Sequence, residues 1–443
     1  MLAGHVCNRK SQNPAARGKS CIFRCVKAKP RAAAWDPEDT AIVTPRGRRR
    51  IEGGHPWVFR QDIESGPAKD ALDGGPSVVT VVDHRQQVLG FAMWAAASPV
   101  ALRMLGRQPG KPLGKGKAVT QPWALMGLVQ TRFAAALEHR VMMGIAPGRS
   151  AYRVLHAEGD DLPGLFVDKY EDVAVLQVAA VALEPLIPAI AEMVESSLKV
   201  KMVVARNDTS MRDFEGLPRQ DSIVRGQGET TIRYWLGPNQ LEADLLRDGK
   251  TGGFLDQAEN HAFVASLSKP EGRSLDAFTF HGGFALALAR RSSYVLAADA
   301  DLEASRRTKE NAAINGLSHM EVRCTDAYQL LATLESGGQM FDTVVLDPPA
   351  FAKRSGAVVA AERAYHELIV RGIRVAAPGA LLVACSCSGQ VDRGLWDRLV
   401  GEAAATAGRA VQVLARRGAG LDHPERLGVP ETGHLKTWVM RVL

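Results

Sequence analysis

The chain has 443 residues, enough for two or three domains and more than one core. Nearly half of them (46%) are apolar, yet no run approaches 18 apolar residues, which excludes a helical membrane span and reads as a soluble globular protein. The net charge of +7 invites a nucleic-acid partner, but residues 1–34 alone carry eight Lys/Arg and no acid and so leave the remainder at −1; any RNA surface on the folded part must be a local patch.

Residues 1–34 are basic and acid-free and lack a hydrophobic stretch, the composition of an organelle transit peptide rather than a secretory signal. Val26-Lys27-Ala28 suits a chloroplast-type cleavage region. Residues 1–40 are therefore set apart as a transit peptide or disordered segment, with the chloroplast as destination and the mitochondrion as alternative; a basic RNA-binding arm is the competing reading. Cys7, Cys21 and Cys25 lie in this leader. The body keeps only Cys324, Cys385 and Cys387, which make neither a disulfide framework nor a metal spacing and fit a reducing compartment.

Residues 41–106 read as a small β-rich module. The run 78–83 is a strong strand, 88–92 is another, and the segment between them suits a hairpin loop. Ahead of them stand Arg46, Arg48, Arg49 and Arg50, then Gly53-Gly54-His55-Pro56-Trp57-Val58-Phe59-Arg60. Arginines beside Trp and Phe are what a phosphate-contacting, base-stacking surface needs, although a solvated charge run beside a core Trp has the same composition. Residues 107–122, rich in Gly, Pro and Lys, read as a linker. Residues 123–240 read as a small α+β domain: a helix from Trp123 to Met143, strands within 152–170 and 172–178, a helix over 183–198 and a strand over 201–205.

From residue 241 to 443, apolar strands alternate with helical stretches, the pattern of a doubly wound α/β sheet. Strands are predicted at 275–278, 294–298, 321–324, 343–346 and 380–384. The first runs into His281-Gly282-Gly283, where glycines permit close backbone approach to a ligand. The second ends at Asp299 and the third at Asp326; an acid there can hold ribose hydroxyls or an adenine amino group, or simply cap the next helix. The fourth ends in Asp347-Pro348-Pro349-Ala350-Phe351, whose prolines force the chain out of the sheet. The fifth ends in Cys385-Ser386-Cys387-Ser388-Gly389. Every polar candidate thus falls at the carboxyl end of a strand, where open α/β sheets bind ligands.

The D-P-P-x-F loop resembles the fourth motif of S-adenosylmethionine (SAM) dependent methyltransferases acting on bases. Longer strings carry a more specific resemblance: residues 53–60, H-x-E-x-D-x-L-P-G-L-x-V-D-x-Y over 156–170, K-T-G-G-F-L-D-Q-A-E-N over 250–260, and residues 278–284, 346–353 and 386–389. Together they resemble the bacterial 23S rRNA cytosine-C5 methyltransferase family of the RlmI type, over essentially everything after residue 42. The resemblance implies a PUA-like RNA-binding domain, a middle α+β domain and a Rossmann-like SAM-dependent methyltransferase domain. It implies SAM held by Phe278, Gly282, Gly283, Asp299, Asp326 and Asp347, and rRNA met by Arg48, Arg49, Trp57, Arg60, Pro348, Phe351 and Lys353. A homodimer is compatible with it, and no membrane is involved. Two departures stand out. The family has Tyr-Thr before Gly-Gly where this chain has Phe280-His281, and it has Gln-Arg-x-Asn-Arg where this chain has Gln257-Ala258-Glu259-Asn260-His261.

C5 of cytosine is a poor nucleophile. Adding a thiolate at C6 makes C5 enamine-like, so that it can take a methyl group before a base removes its proton and the thiolate leaves. The resemblance puts Cys387 in that role, with Asp347 bonding the base at N3; Cys385, two residues earlier, shares its face of a strand. Two other classes remain open: a methyltransferase acting on an exocyclic amine, which needs no cysteine, and a non-catalytic ribosome-assembly factor that keeps the fold.

Overall fold

The structure, a computed structural model, describes residues 39–112, 122–351 and 358–443. The leader, most of the expected linker and Lys353 lie outside the described residues.

Strands β1 (Thr40–Val43), β2 (Trp57–Phe59), β3 (Ile63–Ser65), β4 (Val78–Asp83), β5 (Gln87–Trp94) and β6 (Val100–Pro112) form one sheet in the order β2-β6-β5-β4-β1-β3. Helix α1 (Pro45–Glu52) starts at a Thr44 cap with Pro45 in its first turn, so the Arg46–Arg50 cluster is helical. β6 reaches Pro112, paired with β5, so the chain stays in the sheet where residues 107–112 were expected to begin a linker.

Helix α2 (Pro122–Met142) leads to a second sheet. It is built from β7 (Ala151–His156), β8 (Leu165–Tyr170), β9 (Val173–Val178), β10 (Met202–Asn207) and β11 (Gln220–Gly226), in the order β11-β10-β9-β8-β7. Helices α3 (Ile187–Leu198) and α4 (Met211–Phe214) flank β10 in sequence. A two-stranded ladder of β12 (Thr231–Leu236) and β13 (Asn239–Asp244) follows, and it crosses the expected boundary at residue 240.

The last sheet follows helix α5 (Ala258–Leu267). Its strands are β14 (Arg273–Asp276), β15 (Tyr294–Asp299), β16 (Met320–Cys324), β17 (Phe341–Leu346), β18 (Ala376–Ser386), β19 (Val411–Arg417) and β20 (Lys436–Val442). They are joined by α6 (Gly283–Ala289), α7 (Leu302–Ile314), α8 (Ala327–Ser336), α9 (Val358–Arg374) and α10 (Arg393–Thr406). The strand order is β16-β15-β14-β17-β18-β20-β19. β14 to β18 are parallel, as expected; β20 is antiparallel and lies between β18 and β19, which sequence alone did not indicate. Alternate residues pack on opposite faces: Leu296, Val344, Leu382 and Trp438 in one cluster, Val295, Val345, Val383 and Val439 in the other. Burial on both faces explains why the parallel strands read as continuous apolar runs. The strand order reverses between β14 and β17, which opens a crevice at their carboxyl ends.

Candidate active site

At that crevice lies a cleft of about 430 Å³. Phe278, Gly283, Asp299, Asp326, Asp347, Pro348, Phe351 and Cys387, all singled out from sequence, line it. Gly282 sits in the turn behind Gly283, at φ +93°, a conformation costly for any side chain. That turn is clamped from α7: Thr308 Oγ1 donates to the Phe280 carbonyl at 2.6 Å and Asn311 Nδ2 to that of His281 at 2.9 Å. Gly283 is required for a second reason: a Cβ there would collide with the ring of His261, which packs edge-on against Phe284.

The acids divide their work. Asp299 accepts the backbone N–H groups of Phe280 (2.9 Å) and Asp301 (3.0 Å), tying the turn after β14 to the end of β15. Asp301, not Asp299, caps α7. Asp326 does cap α8, accepting from Tyr328 and Gln329, and lines the cleft as well. Below the turn, Asp276 is 1% exposed and its Oδ1 has no hydrogen-bond partner among the described residues; burial pushes its carboxyl up to about 7. Asp347 receives a hydrogen bond from Gln257 Nε2 at 3.0 Å. Burial, and then the charge of Asp256, raise it to about 6.

Segment 250–261 contributes more than the sequence indicated. Lys250, Gly253, Phe254, Asp256, Gln257 and His261 line the cleft. Lys250 pairs with Asp256 at 2.8 Å. Burial opposes ionisation of Asp256, but Lys250 and the histidines around it prevail and hold the carboxyl well below its usual range. Both departures from the family pattern fall on this same wall, as Phe280 and His281 stack on each other with centroids 3.7 Å apart and His261 faces Phe284. Burial drives both His261 and His281 down to about 3, so both are neutral.

The two cysteines of β18 and its exit are not equivalent. Cys385 is buried (1% exposed) in the core against Val345 and Val439, whereas Cys387 lines the cleft, 4.0 Å from the Pro348 carbonyl. Tyr365 brackets Cys387: its hydroxyl accepts from Ser386 Oγ at 3.1 Å and lies 2.8 Å from Ser388 Oγ. Lys436, at the start of β20 and paired in register with Ser386, donates to the carbonyls of Ser388 and His434, both at 2.7 Å. It is 2% exposed and pairs with no carboxylate among the described residues; burial lowers its ammonium to about 8. Burial and then Asp347 push the Cys387 thiol up to about 11, with Lys250 and Lys436 pulling the other way.

Of the described residues expected at an RNA surface, Pro348 and Phe351 are in the cleft and Arg48, Arg49, Trp57 and Arg60 are not. Arg48 pairs with Asp83 at 2.6 Å and with Glu52 at 2.8 Å. Arg60 donates to the carbonyls of Ala95 and Ser98 and lies over Trp94. Arg49 is exposed. Trp57 donates its indole N–H to Glu158 at 2.8 Å.

Comparison with known proteins agrees with this architecture. Residues 41–107 match a PUA-like domain and residues 224–429 an S-adenosylmethionine-dependent methyltransferase. A SAM-dependent methyltransferase from Streptococcus mutans has the same fold, with a TM-score of 0.74 at 14% identity, covering 91% of this chain and 99% of that one. The structure of SMU.776, described as a methyltransferase complexed with SAH, gives a TM-score of 0.75 at 14% identity over the same shares. Among curated proteins, Ribosomal RNA large subunit methyltransferase I of Photobacterium profundum is 29% identical over 407 residues, 90% of this chain and 98% of that protein. The protein of the same name from Shewanella denitrificans is 30% identical over 409 residues, with the same coverage. Two matched domains, and a near end-to-end match to relatives of one name, show that this chain belongs to the ribosomal RNA large subunit methyltransferase I family of SAM-dependent methyltransferases.

Proposed function

We propose that the chain methylates C5 of a cytosine in organellar large-subunit rRNA through a covalent cysteine adduct. The observation that carries this reading is Cys387 on the wall of the cleft that also gathers the strand-end acids. The names of the relatives supply the substrate class. The cleft suits SAM, an organic cation with ribose hydroxyls: it is rich in acceptors, and the buried Asp276 carboxyl beneath it has an oxygen with no hydrogen-bond partner among the described residues. Asp299 would hold the ribose hydroxyls, Asp326 the adenine amino group, and the backbone at Gly282 and Gly283 the amino-acid end, with Phe278 against the ring. When bound, SAM supplies the methyl group.

The chain's own residues do the rest. Cys387 adds to C6 of a cytosine turned out of its strand. Asp347 bonds the base at N3, and its raised pKa lets it act as donor or acceptor near neutrality. Lys436 holds the turn around Cys387 and offsets the thiolate's charge. Pro348 and Phe351, with Phe351 4.7 Å from Tyr365, shape the wall for the base. The exposed Arg49, together with Lys353, would meet phosphates.

Cys387→Ala should abolish methyl transfer and leave SAM binding intact. RNA carrying 5-fluorocytosine should trap the wild-type protein and Cys385→Ala, because fluorine at C5 cannot leave as a proton. Turnover by Cys387→Ala at the wild-type rate would favour the amine-methylating class, which the Asp347-Pro348-Pro349 loop and the high pKa of Cys387 also suit. SAM binding without any transfer to RNA would favour an assembly factor. The organellar assignment rests on the acid-free leader. A reporter fused to residues 1–40 that stays in the cytosol would refute it. Self-association into a homodimer belongs to the same reading and is checked by sedimentation.

A further inference from the structure

A second cavity of about 500 Å³ adjoins the cleft and shares Lys250, Gly253 and Asp256 with it. Its size is within the range of about 300–1,000 Å³ typical of small-ligand sites. Three parts of the fold wall it: Trp57 from β2, His156 and Phe166 from β7 and β8, and His423 and His434 from the connection between β19 and β20.

Its hydrogen-bonding character follows from the partners of its histidines. Arg153 Nη1 lies 3.1 Å from His156 Nδ1, and a guanidinium can only donate, so Nδ1 accepts and the ring's proton is on Nε2. Burial and the Arg153 charge keep this ring neutral. His423 Nδ1 lies 2.8 Å from Asp422 Oδ1, and a carboxylate only accepts, so there Nδ1 donates. The two rings are 5.0 Å apart. His156 Nε2 therefore offers a donor to the cavity, and Asp256 Oδ1, buried and with no hydrogen-bond partner among the described residues, offers an acceptor. Phe166, half-buried beside His156, and Trp57 present aromatic faces. The cations on the wall are already engaged: Arg153 with Asp168 at 2.8 Å and Lys250 with Asp256 at 2.8 Å. That is a poor phosphate site and a good site for a flat, neutral heterocycle with adjacent donor and acceptor groups, which is a nucleobase.

We propose that this cavity takes a second, unpaired base of the same RNA strand, next to the one that reaches Cys387. It cannot be the reacting base, because Cys387 and Asp347 line the first cleft and not this one. The shared Lys250–Asp256 partition places the two bases back to back, and Trp57 brings the PUA-like sheet into contact with the strand.

This inference rests on the reading of the chain as an RNA methyltransferase, and the experiment separates the two. The full chain is incubated with tritiated SAM and unmodified organellar large-subunit rRNA, chloroplast and mitochondrial in turn, transcribed with sparse 4-thiouridine, irradiated, and the crosslinked peptides and nucleotides are mapped. RNA affinity is measured in parallel for Phe166→Ala, which removes a stacking face, and Thr209→Trp, which fills the cavity from its rim. The expected result is a crosslink to the His156–Phe166 region from a nucleotide other than the methylated one. RNA affinity should fall about 5- to 150-fold in both variants, the value of one stacked base, with SAM affinity unchanged. Methyl transfer with no crosslink in this cavity, and wild-type RNA affinity in Thr209→Trp, would overturn the proposal and leave the methyltransferase reading standing. No transfer to the rRNA would overturn the reading, and the proposal with it.

Discussion

Asp347 should make this protein discriminate between SAM and its demethylated product by charge, and the discrimination should titrate. SAM carries a sulfonium cation that SAH lacks; the two share the same amino acid, ribose and adenine. Asp347 lines the cleft with its carboxyl raised to about 6 by burial and by Asp256. A sulfonium nearby favours the carboxylate, so a proton on Asp347 competes with SAM and affinity must rise with pH through about 6 and level off above it. If only the ionised form accepts SAM, about one protein in eleven is competent at pH 5.0 and nearly all at pH 7.5, so affinity should tighten about tenfold across that interval. Calorimetric titration of SAM and of SAH at pH 5.0, 6.0 and 7.5 measures both slopes, in the wild type and in Asp347→Asn. SAH should show little of the change, and Asp347→Asn should flatten the SAM profile while weakening binding at pH 7.5. Equal slopes for SAM and SAH would refute the reasoning. A slope that survives in Asp347→Asn would also refute it and move the proton to Asp276, whose carboxyl is at about 7.

Other expectations come from neighbouring residues. Lys436→Met should raise the thiol pKa of Cys387 further, read as a shift to higher pH in the rate of alkylation by iodoacetamide in a background where the other five cysteines (Cys7, Cys21, Cys25, Cys324 and Cys385) are replaced by Ser or Ala. An unshifted profile would leave Lys436 only a structural role. Asp299→Ala should weaken SAM about 5- to 150-fold, the value of a lost, partly buried acceptor of about 1–3 kcal/mol, as read by calorimetry. Gly283→Ala should cost about 1–3 kcal/mol in denaturant melts because its methyl meets the His261 ring, and adding His261→Ala should recover part of the loss.

The parallel half of the last sheet was legible because its strands are buried on both faces. Runs such as Thr343 to Leu346 are continuous and apolar, and Pro348 and Pro349 mark where the chain must leave the sheet. The acids at strand ends could be located but not sorted: whether Asp299 or Asp301 caps α7 depends on backbone angles. Lys250, Asp256 and Gln257 come from the connection between β13 and α5, the last two in a short 3-10 turn, with no strand end to flag them, so only the shared string drew attention to the segment. Lys436 gave no signal because a lone lysine at the start of a strand has no pattern. The arginine cluster illustrates the opposite case. Local composition suggested a nucleic-acid surface, but the partners of Arg48 and Arg60, Asp83 and the carbonyls of Ala95 and Ser98, lie 35 to 38 residues away in sequence.

Strand β20 follows β19 in sequence yet lies between it and β18. During synthesis β18 emerges first with the Cys387 turn at its end, and its neighbouring edge must stay open while α10 and β19 are made. β19 cannot dock until β20 has been threaded into the gap. The Lys436 ammonium therefore reaches the Ser388 carbonyl beside Cys387 only in the closing step of assembly, and a nascent chain still missing this strand carries the cysteine turn without that cation.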